Sequence, residues 1–378
     1  MSQESPTVIH LVPALFGDGG GLIGGAERYV MELARHMADV VPTRLVTFGS
    51  ESREEQLGSL HVRVIGGAWH VRGQRSNPVS PGLIREVLGA QVIHCHQQHV
   101  VASSLAAITS RLAGRRVFCT DLGGGGWDLS AFVSTDRLYH GHLHISEYSR
   151  KVAGHETVSR AHLIWGGVDT VKFSPASSRT FGGPVLFVGR VLPHKGIDVL
   201  IRALRPDAAA QVIGPAIDRR YLADLVHMAE GKAVAFRHDC DDVAVVEAYR
   251  QASCIVLPSV YHDVYGGHTK VPELLGQTLL EGMACGLPAI CSSVASLPEI
   301  VEHEVTGLIV PPNDPDALAA AVAWVREHPA AARKMGERAR ASVLTRFTWP
   351  AVVRRCLDVY GLSSAREVRT ATWEQMRI

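Results

Sequence analysis

Two periodicities alternate along the chain. Short apolar runs such as "TVIHLVP", "TRLVTF", "HVRVI", "QVIHCH", "RRVFCT", "HLHIS" and "AHLIW" predict strands in a first half. "PVLFVG", "AAQVIG", "AVAFR", "CIVLPS", "PAICSS" and "GLIVP" repeat the style in a second half. Between them, "GAERYVMELARHMA", "VASSLAAITSRLAG", "GIDVLIRAL", "RYLADLVHMAE" and "DALAAAVAWVREH" place apolar residues at helical spacing. This alternation predicts an α/β protein whose parallel sheets carry helices on both faces. Two halves imply two doubly wound domains, divided in the Gly-, Pro- and Ser-rich stretch 166–184.

The expected division is 1–175, 176–346 and a terminal helical segment 347–378. That last segment is too short for its own core. Val352, Val353, Cys356 and Val359, then Val368, Trp373 and Met376, lie at helical spacing, and the segment is expected to pack back on the first domain, with Trp373 as anchor. In open parallel sheets ligands sit at the carboxyl ends of strands, so chemistry is sought there, in a cleft between the domains.

Length and composition narrow the class. A chain of 378 residues exceeds one ordinary core, and 46% hydrophobic residues is the composition of a globular protein. Lys plus Arg (38) balance Asp plus Glu (37), which argues against a general nucleic-acid surface. Seven scattered cysteines without a CxxC pair indicate packing thiols in a reducing compartment. The N-terminal stretch lacks a signal-peptide pattern and no run reaches membrane-spanning length, so a cytoplasmic, soluble protein is expected.

Three stretches carry candidate chemistry. "FGDGGGLIGGAERYV" has six glycines between Gly17 and Gly25 and runs into a helix, a form suited to close anion approach; a plain surface loop is the competing reading. "FVGRVLPHKGIDVLIRAL" places Arg190 and Lys195 in a strand-to-helix turn, fitting a diphosphate or else a solvated pair. "PELLGQTLLEGMACG" sets Glu273 in a loop and Glu281 on the polar face of a helix that buries Leu279, Leu280 and Met283 and stops at Gly286. Two carboxylates in so apolar a stretch need partners, from the chain or from a ligand, and carboxylates accept well from sugar hydroxyls. "HCHQQH" puts His94 and His96 on one strand face; a polar cleft wall is favoured over a metal site, since no further ligand motif is evident.

Together these stretches, with "SEYSR", "GGVDTVKFSP", "AYRQASCIVLPS", "CGLPAICSSVASLPEIV" and "TGLIVPPNDPDALAAAV", resemble glycosyltransferase family 4, the retaining enzymes of GT-B fold. The glutamate pair separated by seven residues is the family's signature, and the likeness spans most of the chain. The resemblance implies two Rossmann-like domains facing a cleft and a nucleoside diphosphate sugar as donor. It assigns Glu273 to the hexose hydroxyls and Glu281 to the ribose. Gly276, Gln277 and Thr278 would offer N–H groups to sugar and diphosphate, Arg190 and Lys195 would neutralise the leaving group, and Gly24 and Gly25 would close on the phosphates. Arg190, Lys195 and Glu273 are thereby the expected catalytic residues. No cofactor and no metal are implied.

Two features depart from the family pattern. Asp121 stands where many relatives carry a histidine, and 260–272 is longer than usual, which suits a lid or an acceptor loop. Asp121 and His96 are expected to contact the sugar or the acceptor. The acceptor is a hydroxyl of a saccharide, a lipid-linked saccharide or a small molecule, the second compatible with peripheral membrane contact. Two alternatives stand beside a hexosyltransferase: a GT-B nucleotide-sugar epimerase, and a nucleotide-sugar-binding protein without catalysis.

Overall fold

The computed structural model describes residues 7–14, 24–123, 126–176 and 182–362. These fall into two compact units. The first takes the described parts of 1–145, 153–165 and 349–378, and the second 146–152 with 166–348.

The first unit is built on an eight-stranded sheet. Its strands are β1 (Val8–Leu11), β2 (Thr43–Phe48), β3 (Arg53–Leu57), β4 (Leu60–Ile65), β7 (Val92–Cys95), β8 (Arg116–Cys119), β9 (Gly141–His144) and β10 (Ala161–Leu163). A two-residue pair, β5 (Trp69–His70) and β6 (Pro78–Val79), lies apart. The sheet order is β10-β9-β8-β7-β1-β2-β4-β3. β1 is buried along its whole length, as a central strand covered on both faces must be. The sheet is parallel except at β3, which pairs antiparallel with β4. That departs from the all-parallel expectation: "REEQL" is mostly exposed, and its charges leave an edge that resists further pairing.

Helices α1 (Gly25–Ala38), α2 (Gly82–Leu88) and α3 (Val101–Leu112) follow the first strands of this unit, and the last helix, α12 (Trp349–Tyr360), returns to it. Trp349 is 2% exposed, with its ring 5.3 Å from Tyr29 and 5.8 Å from His36 of α1. Arg355 donates to the carbonyl of Ile164 at 3.1 Å. Among the described residues Trp349 anchors the returning chain; Val368, Trp373 and Met376 lie outside the described residues.

The second unit holds a parallel sheet of β11 (Val185–Val188), β12 (Ala210–Ile213), β13 (Val234–Arg237), β14 (Cys254–Leu257), β15 (Ala289–Ser292) and β16 (Gly307–Val310), ordered β13-β12-β11-β14-β15-β16. This is the 3-2-1-4-5-6 order of doubly wound sheets, which reverses direction between β11 and β14. Its helices are α4 (Glu147–Val152), α5 (Ile197–Ala203), α6 (Arg219–Met228), α7 (Asp242–Gln251), α8 (Gln277–Ala284), α9 (Leu297–Ile300), α10 (Pro315–Glu327) and α11 (Pro329–Arg346). Asp218, Asp241 and Asp314 cap α6, α7 and α10 by accepting from Tyr221, Ala244 and Ala317 N–H.

The division differs from the expected 1–175 and 176–346. Residues 146–152 and 166–175 go with the second unit, because their hydrogen bonds lie there. Glu299 accepts from the N–H groups of Glu147 and Tyr148, each at 2.7 Å, and Val168 bridges to Thr348. The crossing of the chain is thus a set of short returns, which a compositional boundary does not reveal.

Candidate functional site

The reversal between β11 and β14 is where a doubly wound sheet opens a binding crevice at its carboxyl edge. Both strands deliver loops to it. After β11 the chain passes Gly189 and the exposed Arg190, makes a tight turn over Pro193–Lys195, and enters α5 at Gly196. Gly196 has φ 67°, and a Cβ there would lie 2.0 Å from the Pro258 carbonyl oxygen that follows β14. Only glycine lets the two loops approach so closely. Val260 N–H then donates to the His194 carbonyl at 2.9 Å, lacing them together.

This approach brings Lys195 to Glu273. The Lys195 Nζ donates to Glu273 Oε1 at 2.5 Å, and Ser259 Oγ donates to the same oxygen at 2.7 Å. The side chains of Lys195 and Glu273 are 12% and 9% exposed. Ser296 Oγ holds the Glu273 carbonyl at 3.3 Å. Glu273 is therefore not a buried charge awaiting a ligand: the chain itself supplies a cation and a hydroxyl.

Three residues further on, Gly276 opens α8 with φ 77° and ψ 48°. Leu279, Leu280 and Met283 are fully buried, as the apolar face requires. Glu281, one turn in, accepts from Tyr249 Oη at 2.8 Å, and the same hydroxyl is 3.2 Å from the Thr278 carbonyl. Burial, then the Glu281 charge, holds the Tyr249 phenol well above its ordinary pKa, so it stays a donor. Gln277 donates to the Gly167 carbonyl at 3.0 Å, while its buried Oε1 has no hydrogen-bond partner among the described residues.

Arg190, Lys195, Glu273 and Asp263 all act on His194. Burial first, then Lys195, lowers His194 to about 4 against the opposing pull of Glu273, with Arg190 lowering and Asp263 raising it. The imidazole is neutral at pH 7. The turn therefore presents the cations of Arg190 and Lys195 without a third.

The 260–272 segment is a closed hairpin. His262 bridges antiparallel to His268, and Asp263 Oδ1 accepts from Tyr265 and Gly267 N–H, each at 2.9 Å. Tyr261 Oη accepts from Ala295 N–H at 3.0 Å, and Arg220 lies 4.4 Å over the Tyr265 ring. The segment is tied to its own unit at its start and at its tip.

In the first unit, Gly24 is the extended N-cap of α1 and Gly25 its first residue, with open space around a Cβ at Gly25. Residues 15–23 of the glycine-rich stretch lie outside the described residues. Asp121, half-buried after β8, accepts weakly from Gln98 and Gly123 N–H at 3.4 Å. His96 is not part of an open polar wall. It is 2% exposed, and its Nε2 sits 2.8 Å from Nδ1 of His10, the residue of β1 in register with His94. His94 bonds Tyr360 Oη at 2.6 Å and Thr120 Oγ1 at 2.8 Å. Burial keeps all three imidazoles neutral, His10 at about 3.

Reasoning from the sequence missed Tyr249, Ser259, Ser296 and His10. Tyr249 in "AYRQASCIVLPS" and Ser259 just after a strand are visible as residues. Their partners lie 32 and 14 positions away, beyond any local pattern.

All seven cysteines are free, and burial raises the thiols of Cys95 and Cys356 to about 12. Among the described residues no helix is long and apolar enough to cross a membrane.

Comparison with known proteins agrees with this geometry. Residues 182–342 match the family model described as glycosyl transferases group 1. The chain is similar to an uncharacterized glycosyltransferase of Methanocaldococcus jannaschii, 27% identical over 72% of this chain and 75% of that protein. It is likewise 27% identical to an alpha-maltose-1-phosphate synthase of Mycobacterium tuberculosis, over 72% of this chain and 79% of that one. A solved structure of Anabaena HepE in complex with UDP and glucose superposes with a TM-score of 0.70 at 17% identity, covering 94% of this chain and 99% of that chain. The crevice described above lies inside the matched segment, and the chain is a glycosyltransferase with the GT-B fold.

Proposed function

We propose that the protein is a retaining glycosyltransferase of family 4 that moves a hexose from a nucleoside diphosphate sugar to an acceptor hydroxyl. The observation that carries this reading is the Lys195–Glu273 pair at the reversal of a 3-2-1-4-5-6 sheet. A cation and a hydrogen-bonded carboxylate at that edge match a ligand with a charged diphosphate next to a polyol.

In this reading Arg190 and Lys195 take up charge as the diphosphate leaves the anomeric carbon. Backbone N–H groups at Gly276, Gln277 and Thr278 face the diphosphate and sugar, as the start of a helix favours. Glu281, aligned by Tyr249, accepts from the ribose hydroxyls, and Glu273 accepts from the hexose. Gly24 and Gly25 serve the phosphates, and Asp121 the sugar or acceptor, whereas His96, enclosed against His10, is left to packing. The anomeric C–O bond to the diphosphate breaks while the acceptor oxygen bonds on the same face, its proton passing to the departing phosphate oxygen. Glu273 Oε1 is engaged by Lys195 and Ser259, which suits a positioning role better than nucleophilic attack.

The reaction in this form needs neither metal nor cofactor, because side-chain cations neutralise the leaving group. The acceptor is a saccharide, a lipid-linked saccharide or a small molecule, and the place of work is the cytoplasm. The structure of HepE, which holds UDP and glucose, supports a uridine nucleotide as the first donor to try.

The test has two steps. A panel of UDP-, ADP-, GDP- and dTDP-hexoses is screened by thermal shift, where a ligand at a hundred times its Kd adds about 2.7 kcal/mol. Transfer from the selected donor is then followed by NMR at the anomeric position. Stabilisation by one nucleotide sugar and a product of unchanged anomeric configuration are expected. No stabilisation by any donor overturns the substrate class, and an inverted product overturns retention.

A further inference from the structure

The first unit contains a second group of ligating side chains, to which the proposed reaction assigns no part. Asp136 follows Thr135 in a short turn, His142 lies on β9, and His155 lies on the loop after α4. One carboxylate oxygen of Asp136 and one nitrogen of each imidazole lie within 4.8 Å of one another. We propose that Asp136, His142 and His155 form a binding site for a divalent transition-metal cation, of which Zn2+ is the best match.

The contacts around the group have the form such a site takes. Asp136 Oδ2 and His155 Nε2 are 3.8 Å apart, too far for a hydrogen bond. Two ligands on a tetrahedral zinc at about 2.1 Å each stand about 3.4 Å apart, so a small contraction closes the distance. His155 Nδ1 lies 3.1 Å from His144 Nε2. A proton shared there fixes the ring and turns Nε2 toward Asp136, the second contact that ligating histidines usually have. The other carboxylate oxygen, Oδ1, accepts from Gln98 Nε2 at 2.6 Å, and Ser134 Oγ lies 3.2 Å from Oδ2.

Access agrees. His142 and His155 are buried, whereas the Asp136 side chain is 40% exposed, so a cation enters from that side. Two imidazoles and one carboxylate suit zinc and its neighbours better than Mg2+ or Ca2+, which prefer oxygen. Three protein ligands leave a fourth position to water.

The cluster of His10, His94 and His96 is the weaker candidate. Both nitrogens of His94 are taken by Tyr360 and Thr120, and those of His10 by His96 and the Met37 sulfur at 3.2 Å. It also lacks an anion and an exposed edge.

The test uses the full chain, stripped with chelator and titrated with Co2+, whose visible bands report nitrogen and oxygen ligation, and with Zn2+ by equilibrium dialysis. One equivalent per chain is expected, with at least tenfold weaker binding in Asp136→Asn and in His155→Gln. Asp136→Asn changes a partly exposed side chain, so it reports on binding even if His155→Gln unfolds. Exposed His227→Gln serves as control and should bind like the parent. Absence of stoichiometric uptake by the parent overturns the site. So does parental affinity in a folded Asp136→Asn variant, which would place the metal elsewhere.

Discussion

Lys195 Nζ donates to Glu273 Oε1 at 2.5 Å, joining two loops 78 residues apart and taking both charges almost out of water. A pair this buried is costly to break from one side, because the survivor is left charged without a partner. Glu273→Gln should lower stability by about 3–5 kcal/mol and depress kcat/KM, while Lys195→Met with Glu273→Gln should cost less than the sum of the single changes. Denaturant unfolding of the four proteins completes the cycle. Additive losses would mean that the two side chains do not interact in solution.

Tyr249 and Glu281 form the second contact of the crevice. Tyr249→Phe removes the donor to Glu281 Oε2 and should cost about 1.5–3 kcal/mol, the usual value for a hydrogen bond to a charge. Glu281→Ala should weaken binding of bare UDP or ADP roughly tenfold or more, since the ribose loses its acceptor. Denaturant unfolding checks the first and calorimetry with the nucleotide the second. A folded Glu281→Ala with parental affinity removes Glu281 from the site.

Glycine is required at two positions for different reasons. Gly196→Ala combines φ 67° with a Cβ 2.0 Å from the Pro258 carbonyl, which is backbone and cannot step aside. Gly276→Ala has φ 77° but meets Leu297 Cδ2 at 2.7 Å, the end of a side chain. The left-handed conformation costs roughly 1–2 kcal/mol in each. Gly276→Ala should therefore fold with a lowered Tm, and Gly196→Ala should be hit harder. Equal losses in thermal melts would show that the Pro258 contact does not matter.

Acid should destabilise the protein earlier than carboxylate titration alone predicts. His10 at about 3 and His194 at about 4 both lie below the ordinary value of 6.5. Between those limits the unfolded chain binds the proton and the folded one does not, so stability falls as pH drops from 6.5. For fully buried His10 the slope is about 1.4 kcal/mol per pH unit. Melting curves from pH 7.5 to 4.5 measure it. A flat Tm down to pH 5 would mean that the histidines are solvated.

Trp349 ties α12 to α1 through Tyr29 and His36. Trp349→Ala should cost about 3–5 kcal/mol, as large buried aromatics do. Partial proteolysis, with mass spectrometry of the fragments, should then find cleavage between 346 and 362. A parental digestion pattern would show that the helix holds without its anchor.

The alternation of strand-like and helix-like runs by itself determined the α/β class and the presence of two sheets, parallel but for the edge strand β3. Burial on both faces demands continuous apolar strands, and that demand is written residue by residue. The same holds for α8, whose apolar face, polar Glu281 and terminal Gly286 lie within one helix length. Arg190, Lys195 and Glu273 were visible as candidates because strand ends and helix starts are local signals. The pairing of Lys195 with Glu273 was not. Tertiary structure decided that Lys195 meets Glu273, that Tyr249 serves Glu281, and that His10 completes the group at His94 and His96. Strand order and register set those distances, and neither is carried by any window of sequence, since every parallel strand has the same period of two. The edge strand β3 escaped for the related reason that exposed, charged pairing leaves no apolar trace. Residues 146–152 joined the second unit because Glu299, 152 positions from Glu147, holds their backbone N–H groups, a bond made only once both stretches are folded.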